Sequence, residues 1–428
     1  MAAVSLFLLA AFFCVGAVYG MVRYRSPVNP LTFSAVVGGG ITLLSGAIVY
    51  TQLGTASYTP DDVARTAMVS GVAFAGAFTP YLFRGSFPAR VFRQVLRWLG
   101  LDSPHIATRF RLTKFLLLIA GALLSFIALA VFGGGGLRWL TDTRSAYIEN
   151  RAGAGLFFAL LEWLLVLALI YYLWSRRPTR VVPALAVVML FAAAASYTGS
   201  KGNVLIMFVV FAVYYEYRVA PIPSWMYVLM LPLTLAVFGW LLLRQGFGQN
   251  NLLMTLVYFK DYFNTSAQFL SRFDEFGYRY GAAALSELWF YVPRALYPDK
   301  PYEYGATLIH EVLFPGAAER GHTPGLLPWT VAYLDWGIAG VFCAGVWGSF
   351  WQRGAYEHFI RNRTSFFAFL YMMQVALWAP LPFATPGITV LLTVMLAIYF
   401  RVTTLPVRQG KKALLSPVGD APQAAGSP

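Results

Sequence analysis

Apolar runs of roughly twenty residues recur along this chain, with short polar stretches between them. A run of that length crosses the hydrocarbon layer of a bilayer once as an α-helix, because each residue adds about 1.5 Å to the helix. The pattern predicts an all-α polytopic membrane protein with about 11 transmembrane helices, at roughly 1–20, 31–50, 63–83, 112–132, 153–174, 181–197, 204–217, 224–243, 328–350, 366–381 and 387–400.

The spacing of these runs divides the chain into four regions. Residues 1–243 contain the first eight predicted helices and a basic linker at 84–114, and residues 328–400 contain the last three. Residues 244–327 between them are too long for a simple connection and predict a large outer loop with a functional role. The end of the chain, 401–428, is rich in Pro, Gly, Ala and Ser and predicts a disordered cytoplasmic tail.

Composition agrees with a membrane protein. The 428 residues are 58% hydrophobic and 12% charged, whereas soluble domains carry about 25% charged residues. The net charge of +14 comes largely from Lys and Arg in short loops, which the positive-inside rule places in the cytoplasm. The basic linker carries no nucleic-acid recognition motif, so we expect no nucleic acid as partner. We expect its residues 91–101 to form an amphipathic helix on the inner leaflet.

Arginines on the predicted outer side run against this topological bias. Arg144, Arg244 and Arg294 lie just beyond span ends or before a Pro-rich turn, where they can point into a shared cleft. The guanidinium group is always charged and its planar donors fit phosphate oxygens, so these residues predict a diphosphate site. Lys300 adds a compact positive charge beside Arg294. Ordinary salt bridges to the outer acidic residues are the alternative interpretation.

The same loop offers candidates for proton transfer and sugar binding. His322 has an imidazole that can take a proton from a sugar hydroxyl near neutral pH. Asp335, Glu287 and the Asp274–Glu275 pair are candidate bases or sugar-binding carboxylates, and a structural role is the alternative for each. Interfacial anchoring explains most of the loop's aromatic residues. Three tyrosines beside Arg294 suit stacking on sugar rings: Tyr297, Tyr302 and Tyr304.

The cysteines and histidines do not predict a metal site. Cys14 and Cys343 both fall inside apolar runs and lack the spacing of metal ligands. The outer histidines, His310 and His322, carry no His-Glu-x-x-His pattern. We therefore expect no bound metal.

Several short motifs carry a resemblance to a known family. They are Pro293-Arg294-x-x-x-Pro298-Asp-Lys300-Pro301, Thr323-Pro324, Tyr333-x-Asp335-Trp336-Gly337-x-x-Gly340, Arg294 followed by ten residues and Gly305, Gly199-Ser-Lys201-Gly, and Arg144 with Arg151. With these motifs and one large late outer loop, the chain resembles the bacterial oligosaccharide repeat-unit polymerases (O-antigen polymerases of the Wzy type), which are related to the O-antigen ligases.

The resemblance implies a GT-C-like fold and an inverting, metal-independent glycosyl transfer, without a cofactor, on the periplasmic face of the bacterial inner membrane. A glycan on undecaprenyl diphosphate passes to a lipid-linked repeat unit, and a flippase and a chain-length regulator are implied partners. Arg294 is implied to be catalytic, with His322 or Asp335 as the base. Diphosphate and glycan binding fall to Arg144, Arg151, Lys201, Arg244, Tyr297, Lys300 and Tyr333.

Two other functions stay open at this stage. An O-antigen ligase-type transferase would share the site, but purified protein given only lipid-linked repeat units would make no ladder of products. A transporter or flippase of lipid-linked oligosaccharides would need charged residues along its spans, and Glu162 is nearly the only clear one in the predicted helices.

Overall fold

The computed structural model describes residues 1–52, 58–98, 110–150, 154–178, 180–223, 252–316 and 325–376. Every regular element in these ranges is helical, which confirms the all-α fold class. The first nine helices of eight residues or more are α1 (Ala2–Tyr24), α2 (Pro30–Thr51, with a π-helical turn at Ser34–Gly38), α3 (Pro60–Leu82), α4 (Phe87–Trp98), α5 (Leu112–Phe132), α6 (Thr143–Asn150), α7 (Gly155–Arg176), α8 (Val181–Ser196) and α9 (Lys201–Tyr214). A four-residue helix at Arg138–Thr141 precedes α6.

The later helices include much of the predicted outer loop. They are α10 (Leu252–Ser271), α11 (Ala282–Ser286), α12 (Thr307–Leu313), α13 (Thr330–Arg361) and α14 (Ser365–Ala376), with 3-10 turns at Phe273–Glu275 and Glu287–Tyr291. The helix α10 is not among the helices long and apolar enough to cross a membrane, and it packs against α2 and α3. The predicted loop region is therefore largely helical where the structure describes it.

Six helices in the described ranges are long and apolar enough to span a bilayer, or seven if the bent pair α3 and α4 counts as one span. They match predicted spans closely, and α8 and α14 are shorter helices where two further spans were predicted. The predicted spans at 224–243 and 387–400, the end of the span at 366–381 and the tail at 401–428 lie outside the described residues. The count of eleven stays a prediction.

The helices pack around two apolar clusters. One contains side chains of α1, α2, α3 and α10, and the other contains side chains of α5, α7, α8, α9 and α14. The long helix α13 belongs to both, through Val331–Ala344 in the first and Ala355–Phe359 in the second. Because apolar side chains gain little from leaving lipid, close packing between helices has to supply much of this association.

The contact between α3 and α13 depends on small residues. A Cβ on Gly345 would lie 2.6 Å from the carbonyl oxygen of Ala73, and a Cβ on Gly76 would collide with the backbone of Phe342. The two backbones thus touch directly, as small residues allow in membrane helix pairs. This contact holds α13 firmly against α3 in the middle of the bundle.

At one end of the bundle, which we call the arginine end (residues 80–98 and 353–363), the chain turns by 86° from α3 into α4. The guanidinium of Arg353, only 1% exposed, donates to the carbonyl oxygens of Pro80, Phe83 and Gly85 and to Glu357 Oε1, 2.6 Å from Nε. These carbonyls lack helical partners because α3 has ended.

The helix boundaries at the arginine end differ from those predicted, and the predicted position of the amphipathic helix on the inner leaflet stays a prediction. Arg353 was expected in a loop after a span ending at 350, but the helix continues to Arg361 and buries this side chain. The amphipathic helix predicted at 91–101 occupies Phe87–Trp98, and its apolar side chains, including Phe92 and Leu96, pack against α13. The apolar face of α4 is therefore covered by packing against α13.

Candidate functional site

The opposite end of the bundle, which we call the loop end, contains a broken helix. In α13, Trp336 (φ −141°, ψ 18°) and Gly337 (φ 62°, ψ −151°) leave the helical conformation. Only glycine adopts the Gly337 conformation readily. The bend is tight, since the carbonyl oxygen of Ala332 lies 2.7 Å from where a Cβ of Gly340 would be. Residues eight apart in a straight helix are about 12 Å apart.

The backbone groups freed by this break bind the preceding loop. The amide of Arg279 donates to the carbonyl of Leu334, and the amide of Tyr280 donates to the carbonyl of Asp335, both at 3.0 Å. The Asp335 carboxylate, fully buried, accepts the amides of Ala283 and Ala284 at 3.0 and 2.9 Å.

These contacts explain the Tyr333–Gly340 motif as the sequence of a capped helix break. Both oxygens of Asp335 are engaged by backbone amides, so the carboxylate anchors α11 to α13. Its predicted role as a base stays a prediction, and none of its contacts supports it. The other predicted member, Tyr333, is buried and accepts a hydrogen bond from Arg65 Nη2 at 2.9 Å. A glycan-binding role for its ring likewise stays a prediction.

Arg294 holds its own Pro-rich turn closed. Its Nη1 donates to the carbonyls of Pro298 and Lys300 at 3.0 and 2.7 Å, and its guanidinium carbon lies 3.8 Å from the centre of the Tyr302 ring. The side chain is half-buried, and no carboxylate of the described residues pairs with it. One edge of the guanidinium, Nε and Nη2, is therefore available to an anionic ligand.

Lys300 is a second cation in the same turn. It is 2% exposed, and its Nζ donates to the carbonyl of Val292 at 3.1 Å and lies 4.9 Å from the centre of the Tyr304 ring. Burial, together with the nearby charge of Arg294, lowers the pKa of the Lys300 amine to about 8. Within the described ranges no carboxylate compensates either charge. Two adjacent uncompensated cations are what an anionic ligand such as a diphosphate requires.

The 3-10 turn at Glu287–Tyr291 carries a carboxyl group, that of Glu287, with an incomplete set of hydrogen-bond partners among the described residues. Oε2 of Glu287 is buried and has no hydrogen-bond partner among the described residues. Burial first, and the charge of Asp335 second, raise the pKa of Glu287 well above its usual value. The hydroxyl of Tyr291, four residues on, is also buried without a partner in the part of the chain described. An unpaired buried polar group lowers the stability of the folded protein by about 1–3 kcal/mol, so a ligand that forms hydrogen bonds with these atoms would stabilise the site.

The glycine that ends the Arg294-x10-Gly305 signature fits against this carboxyl. Gly305 has a positive φ of 55°, and a Cβ there would collide with Glu287 Cγ. Its amide donates to Ser286 Oγ at 2.8 Å. The signature therefore describes a chain reversal that brings the end of the Arg294 turn onto Glu287.

An aromatic surface flanks the cations. The rings of Trp289 and Tyr297 stack with centres 5.5 Å apart and 16° between their planes. Tyr297 is exposed, as is Tyr302 over Arg294. Flat exposed rings of this kind suit the apolar faces of sugars, as predicted for these tyrosines.

Two other predicted residues lie at the same end of the bundle. The guanidinium of Arg144, on α6, lies 5.3 Å from the centre of the Tyr147 ring. The loop before Lys201 touches this helix, because a Cβ on Gly199 would lie 2.6 Å from Tyr147 Cβ. Lys201 itself begins α9. Arg151, Arg244 and His322 lie outside the described residues, so their predicted roles stay predictions.

The start of α7 connects these two parts of the loop end. A Cβ on Gly155 would lie 2.8 Å from the ring and the carbonyl of Phe290, in the turn that carries Glu287. Sequence reasoning treated Tyr291 in this turn only as one of many interfacial aromatics. Tyr291 lies four residues after Glu287, which could have indicated that the two side chains are close. Their burial could not be predicted, because it depends on distant parts of the chain.

Two curated proteins are similar to this chain. The chain matches two curated proteins named O-antigen polymerase, from Salmonella typhimurium (strain LT2) and Salmonella typhi. Each is 22% identical over 227 residues, which is 53% of this chain and 54% of the relative. The chain is similar to O-antigen polymerases. The match spans about half the length of these O-antigen polymerases, no family model matches, and no solved structure matches significantly.

Proposed function

We propose that this protein is a glycan polymerase of O-antigen synthesis. In the proposed reaction, a glycan chain carried on undecaprenyl diphosphate is transferred to a sugar hydroxyl of a lipid-linked repeat unit. The observation that carries the proposal is the pair Arg294 and Lys300, two adjacent cations without a carboxylate partner in the described ranges, beside exposed aromatic rings. The similarity to O-antigen polymerases supports it.

The two cations have different roles in this reaction. The free edge of Arg294 offers two parallel donors to a phosphate oxygen pair, while Nη1 keeps the guanidinium in place through the turn carbonyls. Lys300 supplies a compact charge at short range. Negative charge grows on the diphosphate as its bond to the sugar breaks, so preorganised cations at that position lower the barrier. The charge needs no metal ion, and the transfer is proposed to be inverting and metal-independent.

The proposed location is the bacterial inner membrane with the site on the periplasmic face. The arginine end of the bundle carries Arg84, Arg90, Arg93 and Arg97 on and beside α4, and the positive-inside rule places such an end in the cytoplasm. The loop end then faces the periplasm. Arg144, Arg151, Lys201 and Arg244 are proposed to extend the binding surface, and a flippase and a chain-length regulator are proposed as partners.

Reconstitution tests this function directly. Purified protein in liposomes, given only undecaprenyl-diphosphate-linked repeat units, is expected to produce a ladder of longer lipid-linked glycans. Arg294→Ala is expected to lower the rate of ladder formation at least about 100-fold, because one preorganised charged donor is worth that much in a transition state. The matched control is Arg279→Ala, which removes an exposed arginine of the same region.

The outcomes separate the candidate functions. A wild-type protein that makes no ladder, but joins the glycan to a separate saccharide acceptor, is a ligase-type transferase. Movement of lipid-linked glycan across the liposome membrane that survives Arg294→Ala indicates a transporter. Equal loss of ladders in Arg279→Ala would contradict the specific role of Arg294.

A further inference from the structure

We infer that Glu287 is the carboxylate that accepts the proton of the attacking sugar hydroxyl. The inference rests on the proposed polymerase function and adds the catalytic base, which the resemblance left to His322 or Asp335. It is derived from the position of Glu287, its unpaired oxygen and the engagement of the other described carboxylates at the loop end.

The chain reversal at Gly305 links Glu287 to the turn that carries the two cations. The Lys300 amine lies over the Tyr304 ring, and the next residue, Gly305, is in contact with the Glu287 side chain. The proposed diphosphate site and this carboxyl are thus joined through two consecutive residues. A glycosyl transfer needs this proximity, because the acceptor hydroxyl and the diphosphate oxygen are bonded to the same anomeric carbon in the transition state.

The state of the side chain suits a base. Oε2 lacks a partner within the described ranges, so a sugar hydroxyl is a donor that the site itself does not supply. Two titratable groups of the described chain interact with Glu287: Asp335, from α13, whose charge raises the pKa of Glu287, and Tyr291, from its own turn, whose pKa is raised by burial and by the charge of Glu287. Burial first, and the charge of Asp335 second, raise the pKa of Glu287 well above its usual value, and a carboxylate with a raised pKa is a stronger base.

The other carboxylates of residues 274–303, and that of Asp335, are either bound to other groups of the chain or exposed to solvent. Asp335 has both oxygens bound to amides of α11. Glu275 is paired with Arg272 at the surface. Asp274, Asp299 and Glu303 are exposed. Glu287 is the carboxylate that combines burial with an unpaired oxygen among these.

The proposed step balances without any further reactant. The acceptor hydroxyl oxygen attacks the anomeric carbon and forms the new C–O bond, while the bond from that carbon to the diphosphate oxygen breaks. The electron pair of the broken bond leaves with the diphosphate, which Arg294 and Lys300 stabilise. The hydroxyl proton moves to Glu287, which later returns it to water.

The experiment uses the full chain in liposomes with undecaprenyl-diphosphate-linked repeat units, comparing wild type, Glu287→Gln and the matched control Glu303→Gln. Glu287→Gln is expected to lower the maximal rate of ladder formation about 100- to 1,000-fold with KM changed less than about threefold, since a general base contributes to the chemical step. Glu303→Gln is expected to keep the wild-type rate.

The pH profile separates a base from a structural side chain. The wild-type rate is expected to fall as the pH decreases through the pKa of Glu287, because the protonated carboxyl cannot accept a proton. The residual rate of Glu287→Gln is expected to lack this acidic limb. Glu287→Asp, which keeps the acid on a shorter side chain, is expected to retain more activity than Glu287→Gln.

Each contrary result has a separate meaning. If wild type makes ladders and Glu287→Gln makes them within about threefold of its rate, the inference about Glu287 is wrong and the polymerase stands. If Glu287→Gln fails to fold as a monodisperse protein, the inference is also wrong, because the amide removes no contact from an unpaired carboxyl. If wild type makes no ladder, both proposals fail.

Discussion

Two buried cations at opposite ends of the bundle differ in what surrounds them. At the arginine end, Arg353 donates hydrogen bonds to three backbone carbonyls and to Glu357. At the loop end, Lys300 has one carbonyl, one aromatic ring and another cation, Arg294, as neighbours. Both side chains are about equally hidden from solvent, so burial alone does not distinguish them. They differ in their partners: Arg353 has a carboxylate and three carbonyls, whereas Lys300 has one carbonyl and no carboxylate among the described residues.

This difference teaches how to read charge in a membrane protein. A buried cation whose partners are complete holds the fold together, and removing it leaves the partner stranded. A buried cation without a counter-charge raises the free energy of the empty protein, and a ligand of opposite charge lowers it. Arg353 is of the first kind, and Lys300 is of the second.

The largest expected effect is on protein stability and tests Arg353, the cation whose partners are complete. Arg353→Leu is expected to destabilise the protein by about 3–5 kcal/mol, because Glu357 and the end of α3 lose their partner inside the bundle. The measurement is the thermal unfolding temperature of the detergent-solubilised protein, with Arg361→Leu, an exposed arginine of the same helix, as control. An unfolding temperature equal to that of the control would remove the distinction drawn here.

The next effect tests the functional member. Lys300→Met is expected to leave the unfolding temperature within a few degrees of wild type, because it removes a charge without a counter-charge. It is expected to weaken binding of the lipid diphosphate by about 2–3 kcal/mol, measured as a 30- to 150-fold rise in KM for ladder formation. Loss of stability with normal KM would place Lys300 in the structural class instead.

A smaller effect tests the frame that presents the site. Gly337→Ala is expected to cost about 1–3 kcal/mol of stability, because alanine is strained at φ 62°, ψ −151° and its Cβ would lie 3.1 Å from Tyr278. Gly40→Ala, in open space within α2, is the matched control and is expected to be neutral or slightly stabilising. Equal unfolding temperatures for both variants would show that the break is not required for the fold.

The smallest effect uses pH. In the proposed site, Lys300 binds an anion in its protonated form, and its pKa in the folded protein is lowered to about 8. KM is therefore expected to be constant below pH about 8 and to rise up to about tenfold per unit above it, as the free protein loses this charge. Lys300→Arg keeps its charge across this range and is expected to abolish the rise. A rise that persists in Lys300→Arg would assign it to another group.

Much of the helical framework could be predicted from the sequence because a bilayer demands apolar runs of fixed length. Leu112–Phe132, for example, lies where the apolar run predicted a helix. The role of Arg353 could not be predicted, because a basic residue after an apolar run reads as the start of a loop. Its burial follows from contacts with Pro80 and Gly85, about 270 residues away.

The site was predicted in part for the same reason. The Arg294 and Lys300 turn is local, so its motif identified it. The function of the Tyr333–Gly340 motif is not local, since Asp335 looks like a catalytic acid until the amides of Ala283 and Ala284 are seen to fill its oxygens. Glu287 stood among several candidate carboxylates, and the close approach of Gly305 and the unpaired buried oxygen distinguish it.

The direct backbone contact of Gly76 and Gly345 has a mechanical consequence. Helices that touch at this depth cannot slide without repacking, so the membrane interior acts as a rigid frame on both sides of α13. Residues 278–305 attach to the broken helix in another way, through hydrogen bonds that Leu334 and Asp335 accept. In the proposed polymerase, the product that lengthens at every cycle is therefore bound at the water-facing rim, apart from the tightly packed interior.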